Sequence, residues 1–248
     1  MIDLNSDLGE GAGTDGQMLP MISSANIACG GHAGDEVSMA QTVRLAVEYG
    51  VGVGAHPSFP DREGFGRRAI QISPGELRDA LIDQMRSLQA VAARFGMAVQ
   101  HVKAHGALYT AAVDDPELCA VIAEAVRAVN PGLIVVTLAG SRMPETFERM
   151  GLRVAREAFI DRGYTPRGTL VPRDQPNALV TDPHEASFRA VRLARDGTLT
   201  AVEGTEVSIR ADTLCIHSDT PGAALLARAV RRALDQAEIR VMQMGEIV

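Results

Sequence analysis

Short apolar runs alternate along the chain with longer segments whose apolar residues recur at helical spacing. The first three runs cover Ile2–Leu4, Ile22–Ala28 and Val51–Ala55, and residues 36–49 form an amphipathic segment between the second and the third. Parallel strands need helix-sized crossovers, and this spacing supplies them. The pattern therefore predicts an α/β fold built on a parallel sheet.

The alternation continues to the carboxyl-terminal end of the chain. The further predicted strands are Ala98–Val102, Leu133–Leu138, Leu152–Ala155 and Thr213–Ile216, and the further predicted helices cover 73–95, 116–130, 143–150, 183–194 and 222–238. Seven strands joined in this way close more easily into a TIM-like (β/α) barrel than they stay open, so we expect a seven-stranded barrel. Two short segments near 198–209 predict a β-hairpin inserted into the alternation.

Composition narrows the class of protein. No linker or shift in composition interrupts residues 1–248, so we expect one barrel domain, and the hydrophobic content of 46% is enough for a full core. A net charge of -7 without a basic block argues against nucleic acid as a partner. The acidic N-terminal segment, the absence of a membrane-length apolar run and three scattered cysteines favour a cytoplasmic protein without disulfides.

Ionisable side chains follow six of the seven predicted strands. Asp7 and Glu10 follow the first strand, His32 and Asp35 the second, His56 the third, Lys103 and His105 the fourth, Glu157, Asp161 and Arg162 the sixth, and His217 and Asp219 the seventh. The carboxyl ends of parallel strands meet at one rim, which is where α/β enzymes place their sites. One such histidine would often be structural, but four at one rim favour a functional site.

Other residues in these segments have simpler interpretations. His101 lies inside a predicted strand and His184 at a solvated helix start, so neither is expected in the site. Asp35 is expected to cap a helix, and Cys29 and Cys215 to pack as small apolar side chains. The long loop over 56–68 is expected to fold over the rim as a lid, because it is longer than a connection requires.

Two chemistries suit this rim. Carboxylates beside histidines and a lysine can perform acid–base catalysis. Alternatively, Asp7, His32 and His56 could hold a divalent metal. Gly30 and Gly31 lie before a helix start, where backbone N–H groups could bind an anion. No Walker-type phosphate loop is present, so ATP, if used, is held in another way.

Six motifs, in order from residue 3 to residue 221, resemble the LamB/YcsF family. They are Asp3–Glu10, Asn26–Asp35, Gly54–Asp61 together with Gly64–Arg68, Val102–Tyr109, Glu157–Tyr164 and Cys215–Pro221. Gly31, Ala104 and Ser218 depart from the family pattern of phenylalanine, proline and glycine, respectively. These departures change the backbone shape beside the site and leave its charge unaltered.

The resemblance implies a barrel of the glycoside hydrolase/deacetylase superfamily and the ATP-dependent opening of 5-oxoproline (pyroglutamate) to L-glutamate. It implies ATP as co-substrate and two further 5-oxoprolinase subunits as partners, and a homo-oligomer is compatible with it. The predicted catalytic residues are Asp7, His32, His56, Lys103, His105 and Glu157. The predicted substrate-binding residues are Asn5, Glu10, Gly30, Gly31, Arg67, Asp161, Arg162, His217 and Asp219. Two alternatives remain: a divalent-metal-dependent carbohydrate or amide deacetylase, and a non-catalytic scaffold subunit of a carboxylase-like complex.

Overall fold

Seven parallel strands form a closed barrel in the computed structural model, which describes residues 1–248. The barrel strands are β1 (Asp3–Leu8), β2 (Ser24–Ala28), β3 (Gly52–His56), β4 (Val99–Val102), β5 (Ile134–Leu138), β6 (Arg153–Phe159) and β9 (Thr213–Cys215). Each strand pairs with its neighbour in this order, and β9 closes the ring by pairing with both β6 and β1. The predicted seven-stranded α/β barrel is confirmed.

Helices surround the barrel and connect its strands. They are α1 (Asp15–Met18), α2 (Glu36–Tyr49), α3 (Pro74–Ala93), α4 (Gly106–Ala112), α5 (Pro116–Val129), α6 (Met143–Arg149), α7 (Pro183–Asp196) and α8 (Ala223–Gln236), with 3₁₀ turns at Leu19–Met21 and Met244–Glu246. Strands β7 (Thr198–Thr200) and β8 (Glu206–Ser208) pair antiparallel in a hairpin outside the barrel. None of the helices combines the length and apolar character that crossing a membrane would require.

The structure corrects the predicted ends of two strands. The first strand was expected to end at Leu4 and the sixth at Ala155, but β1 reaches Leu8 and β6 reaches Phe159. Asn5, Asp7 and Glu157 therefore lie within strands and not after them. An apolar run gives too short a length for these strands, because part of each strand consists of polar residues. The side chains of Asn5, Asp7 and Glu157 point into the barrel and form hydrogen bonds with polar groups there.

Hydrogen bonds satisfy this polar interior in successive layers. Asp3 accepts hydrogen bonds from the hydroxyls of Ser23, Ser24 and Thr213, and burial raises its pKa to about 6. One layer higher, the Asn26 amide donates to Asn5 and Asp7. Buried polar groups are costly without such partners, so the layers fix the relative positions of the strands.

Helices α1 and α4 were not predicted. Helix α1 has four residues and α4 has seven, which is too short for apolar periodicity to be recognised. Helix α4 begins at Gly106, directly after His105, and carries Tyr109 towards the barrel. It therefore belongs to the carboxyl-end rim and not to the outer layer alone.

Gly34 provides a test of the turn before α2. Its φ of 86° is left-handed, and a Cβ there would lie 2.3 Å from the Ala28 carbonyl oxygen. We expect Gly34→Ala to lower the free energy of unfolding by about 2 kcal/mol or more, because strain and overlap act together. Gly75→Ala is the matched control, since Gly75 lies in α3 with open space around it and alanine favours helices. Urea denaturation measures both variants, and equal unfolding midpoints for them would contradict the prediction.

Candidate active site

A cavity of about 580 Å³ opens at the carboxyl end of the barrel. Its charged and aromatic lining residues are Asp7, Glu10, His56, Arg67, Lys103, His105, Tyr109, Phe159, Arg162, Arg173, His217 and Asp219. These side chains come from segments that are distant in sequence and meet only at the rim. The volume lies within the range of small-molecule sites.

Lys103 lies at the floor of this cavity between two carboxylates. Its Nζ is 2.9 Å from Asp7 Oδ1, 2.8 Å from Glu157 Oε1 and 3.2 Å from the Cys215 sulfur. Burial opposes the charge, but these neighbours raise the pKa of Lys103 well above its usual value. Burial also opposes ionisation of Asp7, yet His56 and Lys103 hold its pKa well below the usual range. The site therefore contains a buried ammonium and an ionised Asp7.

Glu157 supports Lys103 from behind. It is fully buried, does not line the cavity, and accepts hydrogen bonds from the Asn5 amide and the Tyr109 hydroxyl. Cys215 is also buried, and burial raises the pKa of its thiol well above the usual value. Burial likewise raises the pKa of Cys29 to about 12. Neither thiol has the low pKa of a nucleophile, which agrees with the expectation that both pack as small side chains.

Three histidines and one glutamate form a compact cluster beside Asp7. His32 and His105 stack with ring centroids 3.6 Å apart, and His105 Nδ1 lies 3.0 Å from His56 Nε2. Glu10 Oε1 is 3.0 Å from His32 Nε2 and 3.2 Å from His105 Nδ1. We call Glu10, His32, His56 and His105 the histidine cluster. Its carboxylate is Glu10, whereas the predicted metal set contained Asp7.

Burial sets the charge states of the cluster. It lowers the pKa of His32 to about 4 and also lowers the pKa of His105. Burial opposes charge on His56 as well, but the neighbouring Asp7 raises its pKa. For Glu10, burial opposes ionisation, but its contacts with His105, His32 and His56 outweigh burial and lower its pKa. Neutral His32 and His105 therefore face an ionised Glu10 near neutral pH.

The loop over 56–68 lies across this cluster. The Phe65 ring packs edge-on against His32 and His105 at centroid distances of 5.3 and 5.5 Å. The Phe65 carbonyl accepts a hydrogen bond from His105 Nε2, and the Gly66 carbonyl accepts one from the backbone of Ala107. The loop thus covers the histidines from the solvent side and leaves the cavity open beyond them.

Cationic side chains surround the mouth of the cavity. Arg67 forms an ion pair with Asp219, and Arg173 Nη1 lies 3.8 Å from the same carboxylate. Arg162 is buried and donates to the backbone carbonyls of Val171 and Ala178. The mouth therefore has a net positive charge, because Asp219 is the one acidic residue beside three arginines.

Besides Glu157, five other predicted site residues do not line the cavity. They are Asn5, Gly30, Gly31, His32 and Asp161. Asn5 belongs to the interior of the barrel, and Asp161 holds His217 by accepting bonds from its backbone and ring. A Cβ on Gly31 would lie 2.3 Å from Gln84 Oε1, so this glycine leaves room for packing. Asp35 caps α2 through the Ser38 N–H, and the Gly30 N–H donates to the Ala33 carbonyl, so these two backbone donors are engaged within the protein.

Three charged or aromatic cavity residues were missed in the sequence. Tyr109 and Phe159 lie in the motifs Val102–Tyr109 and Glu157–Tyr164, but neither carries a charge near neutral pH that would mark it as a site residue. Arg173 lies in a long proline-containing loop whose path cannot be inferred from local pattern. The other cavity residues could be predicted because they lie at or just after the ends of strands. Phe159 is the last residue of β6, so the same criterion applies to it.

Comparison with known proteins identifies the family. The model of the LamB/YcsF family matches residues 2–248. This chain belongs to the LamB/YcsF family. A relative from Syntrophobacter fumaroxidans, named as the A-subunit of 5-oxoprolinase, is 46% identical, with 98% of each chain covered. The crystal structure of a lactam utilization protein from Thermus thermophilus is 47% identical and superimposes with a TM-score of 0.92 over 97% of this chain and 98% of that chain.

A more distant likeness concerns the LamB/YcsF fold alone. The structure of a T48 deacetylase with substrate superimposes with a TM-score of 0.52 at 12% identity, covering 99% of this chain and 89% of that chain. At this identity the likeness shows a shared barrel.

The buried ion pairs of Lys103 can be tested by stability. We expect Lys103→Met to lower the free energy of unfolding by about 3–5 kcal/mol, because it leaves Asp7 and Glu157 buried without their cation. Adding Glu157→Gln should recover about 1 kcal/mol or more by removing one of these charges. A double-mutant cycle from chemical denaturation measures the coupling. Simple additivity of the two losses would contradict the assigned pairing.

His101 gives the barrel interior a pH dependence. Its Nε2 donates to Asn26, and burial lowers its pKa to about 3. Between the ordinary histidine pKa of about 6.5 and this lowered value, the unfolded chain binds a proton that the folded chain does not, so stability is lost as the pH falls. From about pH 7 to about pH 5 we expect the wild type to lose about 2 kcal/mol more than His101→Gln. Other groups titrate in both the wild type and His101→Gln, so only the difference between the two proteins reports on His101. Equal losses of the free energy of unfolding, measured by chemical denaturation at each pH, would contradict the lowered pKa of His101.

Proposed function

We propose that this LamB/YcsF protein is the A-subunit of an ATP-dependent 5-oxoprolinase and that its cavity binds 5-oxoproline during conversion to L-glutamate. Full-length relatives of 46–49% identity that carry this subunit name support the reaction. The observation that carries the proposal is the cavity itself, which combines an ionised Asp7 and two histidines inside with arginines at its mouth.

The chemistry requires activation of a stable amide. In 5-oxoproline the ring nitrogen delocalises its lone pair into the carbonyl, which makes the carbon a weak electrophile. Transfer of the ATP γ-phosphoryl group to the carbonyl oxygen, with release of ADP, turns that oxygen into a leaving group. Water then adds to the carbon, the carbon–nitrogen bond breaks, and hydrolysis releases phosphate and glutamate. Two molecules of water are consumed for each ring opened.

The sequence of this chain supports a division of labour within the complex. It has no Walker-type phosphate loop and no G-x-G-x-x-G sequence. We therefore assign most of the nucleotide chemistry to two further subunits, with ATP as co-substrate of the complex. This chain contributes the pocket in which the lactam is held and opened.

The mouth is suited to the anionic end of the substrate. Arg67 and Arg173 share Asp219 as their acceptor, and both side chains are partly exposed. A substrate carboxylate or phosphate can replace Asp219 on these guanidinium groups without leaving a buried charge unpaired. Arg162 reinforces the positive potential but has its donors engaged by backbone carbonyls.

Proton transfer falls to the cavity floor. Asp7 Oδ1 is held by Lys103 and Asn26, while Oδ2 lies 3.4 Å from His56 Nε2. Asp7 is thus fixed, ionised and next to a group that can exchange a proton with it. Asp7 accepts the proton of the attacking water, and His56, whose pKa is raised by Asp7, returns a proton to the departing ring nitrogen. Lys103 and Glu157 are positioning residues, because Lys103 is engaged by its buried partners.

The reconstituted complex provides the test. With the two partner subunits of the same organism, 5-oxoproline and ATP, we expect Asp7→Asn to reduce glutamate release by about 10²–10⁴-fold, since it removes the proton acceptor. Asp79→Asn is the matched control, because the Asp79 side chain is exposed on α3. Circular dichroism and co-purification of the subunits confirm that fold and complex persist.

Two outcomes would overturn the proposal. An Asp7→Asn complex with full activity would favour the scaffold alternative, in which this rim is inert. Release of acetate from N-acetylated oligosaccharides by this chain alone, with no glutamate from 5-oxoproline by the complex, would favour the metal-dependent deacetylase.

A further inference from the structure

Helices α7 and α8 pack side by side, and a groove of about 710 Å³ lies between them on the outer surface. Each helix buries one apolar face in the core, through residues such as Leu193 of α7 and Val230 of α8. Phe188 and Leu225 lie outside these buried faces and line the groove, with 61% and 64% of their surface exposed. Packing within the chain therefore does not account for their placement.

The apolar surface continues beyond this groove. Phe188 also lines a second groove, of about 420 Å³, together with Leu179 and Val202, which are 39% and 42% exposed. Four of the eight large apolar side chains that the protein exposes thus meet around Phe188. We call Leu179, Phe188, Val202 and Leu225 the α7–α8 patch. Single exposed apolar residues are ordinary, whereas a contiguous patch marks an interaction site.

The α7–α8 patch has positive charge at its border. Arg228 and Arg232 line the larger groove, and no carboxylate lines it. Both arginines are exposed and form no ion pair within the chain. The smaller groove has one carboxylate, Glu185, which is paired with Arg189. A chain with a net charge of -7 thus places unpaired positive charge beside its apolar patch, so the occupant that complements it carries carboxylates.

A second copy of this chain and a lipid surface fit the patch less well. A two-fold dimer would bring the patch of one copy against the same patch of the other, so Arg228 and Arg232 would meet their own counterparts and repel them. A lipid surface takes up apolar side chains that project together from one helix face, whereas here they flank two grooves. The net charge of -7 also opposes approach to an anionic bilayer.

One segment of the chain lines both the smaller groove and the active-site cavity. Arg162 and residues 170–173 line the cavity, whereas Gly163 and Leu179 line the groove. Arg189 of α7 donates to the backbone carbonyl of Arg162 and so joins the helix to this segment. A protein bound to the α7–α8 patch would therefore contact the segment that forms one wall of the cavity.

The chemistry of the proposed function requires a partner close to the cavity. A lactam that another subunit has phosphorylated is activated towards water. It has to reach this cavity without crossing bulk solvent, because exposed reactive intermediates are hydrolysed. The subunit that prepares it must therefore bind beside the cavity wall.

We propose that the α7–α8 patch is the docking surface for a partner subunit of the 5-oxoprolinase complex, which places apolar side chains flanked by carboxylates in the two grooves. The identity of this partner rests on the proposed function. Phe188 is the central anchor, because it lines both grooves and large aromatic side chains carry much of the binding free energy of an interface. Arg228 and Arg232 act mainly on the rate of association.

Binding of each of the two partner subunits, measured by calorimetry without ATP or 5-oxoproline, is the test. We expect Phe188→Ala and Leu225→Ala each to weaken the affinity for one subunit by about 30-fold or more. Val37→Ala is the matched control, because Val37 is 66% exposed on α2, and it should bind as the wild type does. Circular dichroism checks that all three variants fold, as expected for exposed side chains.

Charge reversal tests the electrostatic part of the proposal. We expect Arg232→Glu to slow association with the same subunit by about 10-fold and to weaken the dependence of the association rate on salt. Arg44→Glu is the matched control, because Arg44 is exposed on α2 and its replacement changes the net charge of the chain equally. Equal association rates for these two variants would contradict the charge complementarity.

The docking surface is wrong if neither subunit binds the wild type, or if Phe188→Ala and Leu225→Ala bind as tightly as Val37→Ala. It is also wrong if Phe188→Ala instead dissociates a wild-type dimer in sedimentation experiments or abolishes binding to anionic lipid vesicles, since the patch would then hold a second copy or a membrane. The binding measurement needs no turnover. An inactive complex whose affinity still falls with Phe188→Ala would contradict the proposed function alone, and full glutamate release with undiminished binding would contradict the docking surface alone.

Discussion

The ion pairs of Lys103 impose the main constraint on this structure. A buried ammonium and two buried carboxylates each lose several kcal/mol of hydration, and only close mutual contact recovers it. The partners come from three places in the barrel: Asp7 in β1, Glu157 in β6 and Lys103 directly after β4. The contacts form only when the barrel is closed in the correct register. Folding the barrel and assembling the site therefore depend on the same condition.

The polar side chains below Lys103, towards the amino ends of the strands, also require the correct register between strands. Below Lys103, Asn26 joins Asn5 to Asp7, and at the bottom Asp3 collects three hydroxyl donors. Apolar contacts alone would tolerate small shifts between strands, but a directional hydrogen bond does not. The apolar core between the barrel and the helices stabilises the fold without specifying register so strictly. The polar layers fix the register between the strands. Because the rim residues lie on the same strands, the polar layers also fix the positions of the rim residues.

The difference between the apolar core and the polar layers explains which features could be predicted from the sequence. Strand–helix alternation and helix caps such as Ser73 are local signals, and they were sufficient for a seven-stranded barrel. The ends of β1 and β6 were mistaken because Asp7 and Glu157 look like loop residues until their partners across the barrel are known. Strand-end position located the rim, but not the pairing of Glu10 with the histidines or the role of Asp161 in holding His217. Such pairings depend on distances between strands, which no local pattern encodes.

The charge distribution along the cavity gives the substrate an orientation. The floor has an excess of carboxylates, whereas Arg67 and Arg173 at the mouth have only Asp219 between them. An anion entering the cavity is therefore stabilised at the mouth and repelled by the floor, since buried charges are weakly screened. The carboxylate of a lactam substrate would stay beside the arginines, and its uncharged ring would point towards Asp7 and His56. That is the arrangement in which the ring carbonyl reaches the groups that can open it.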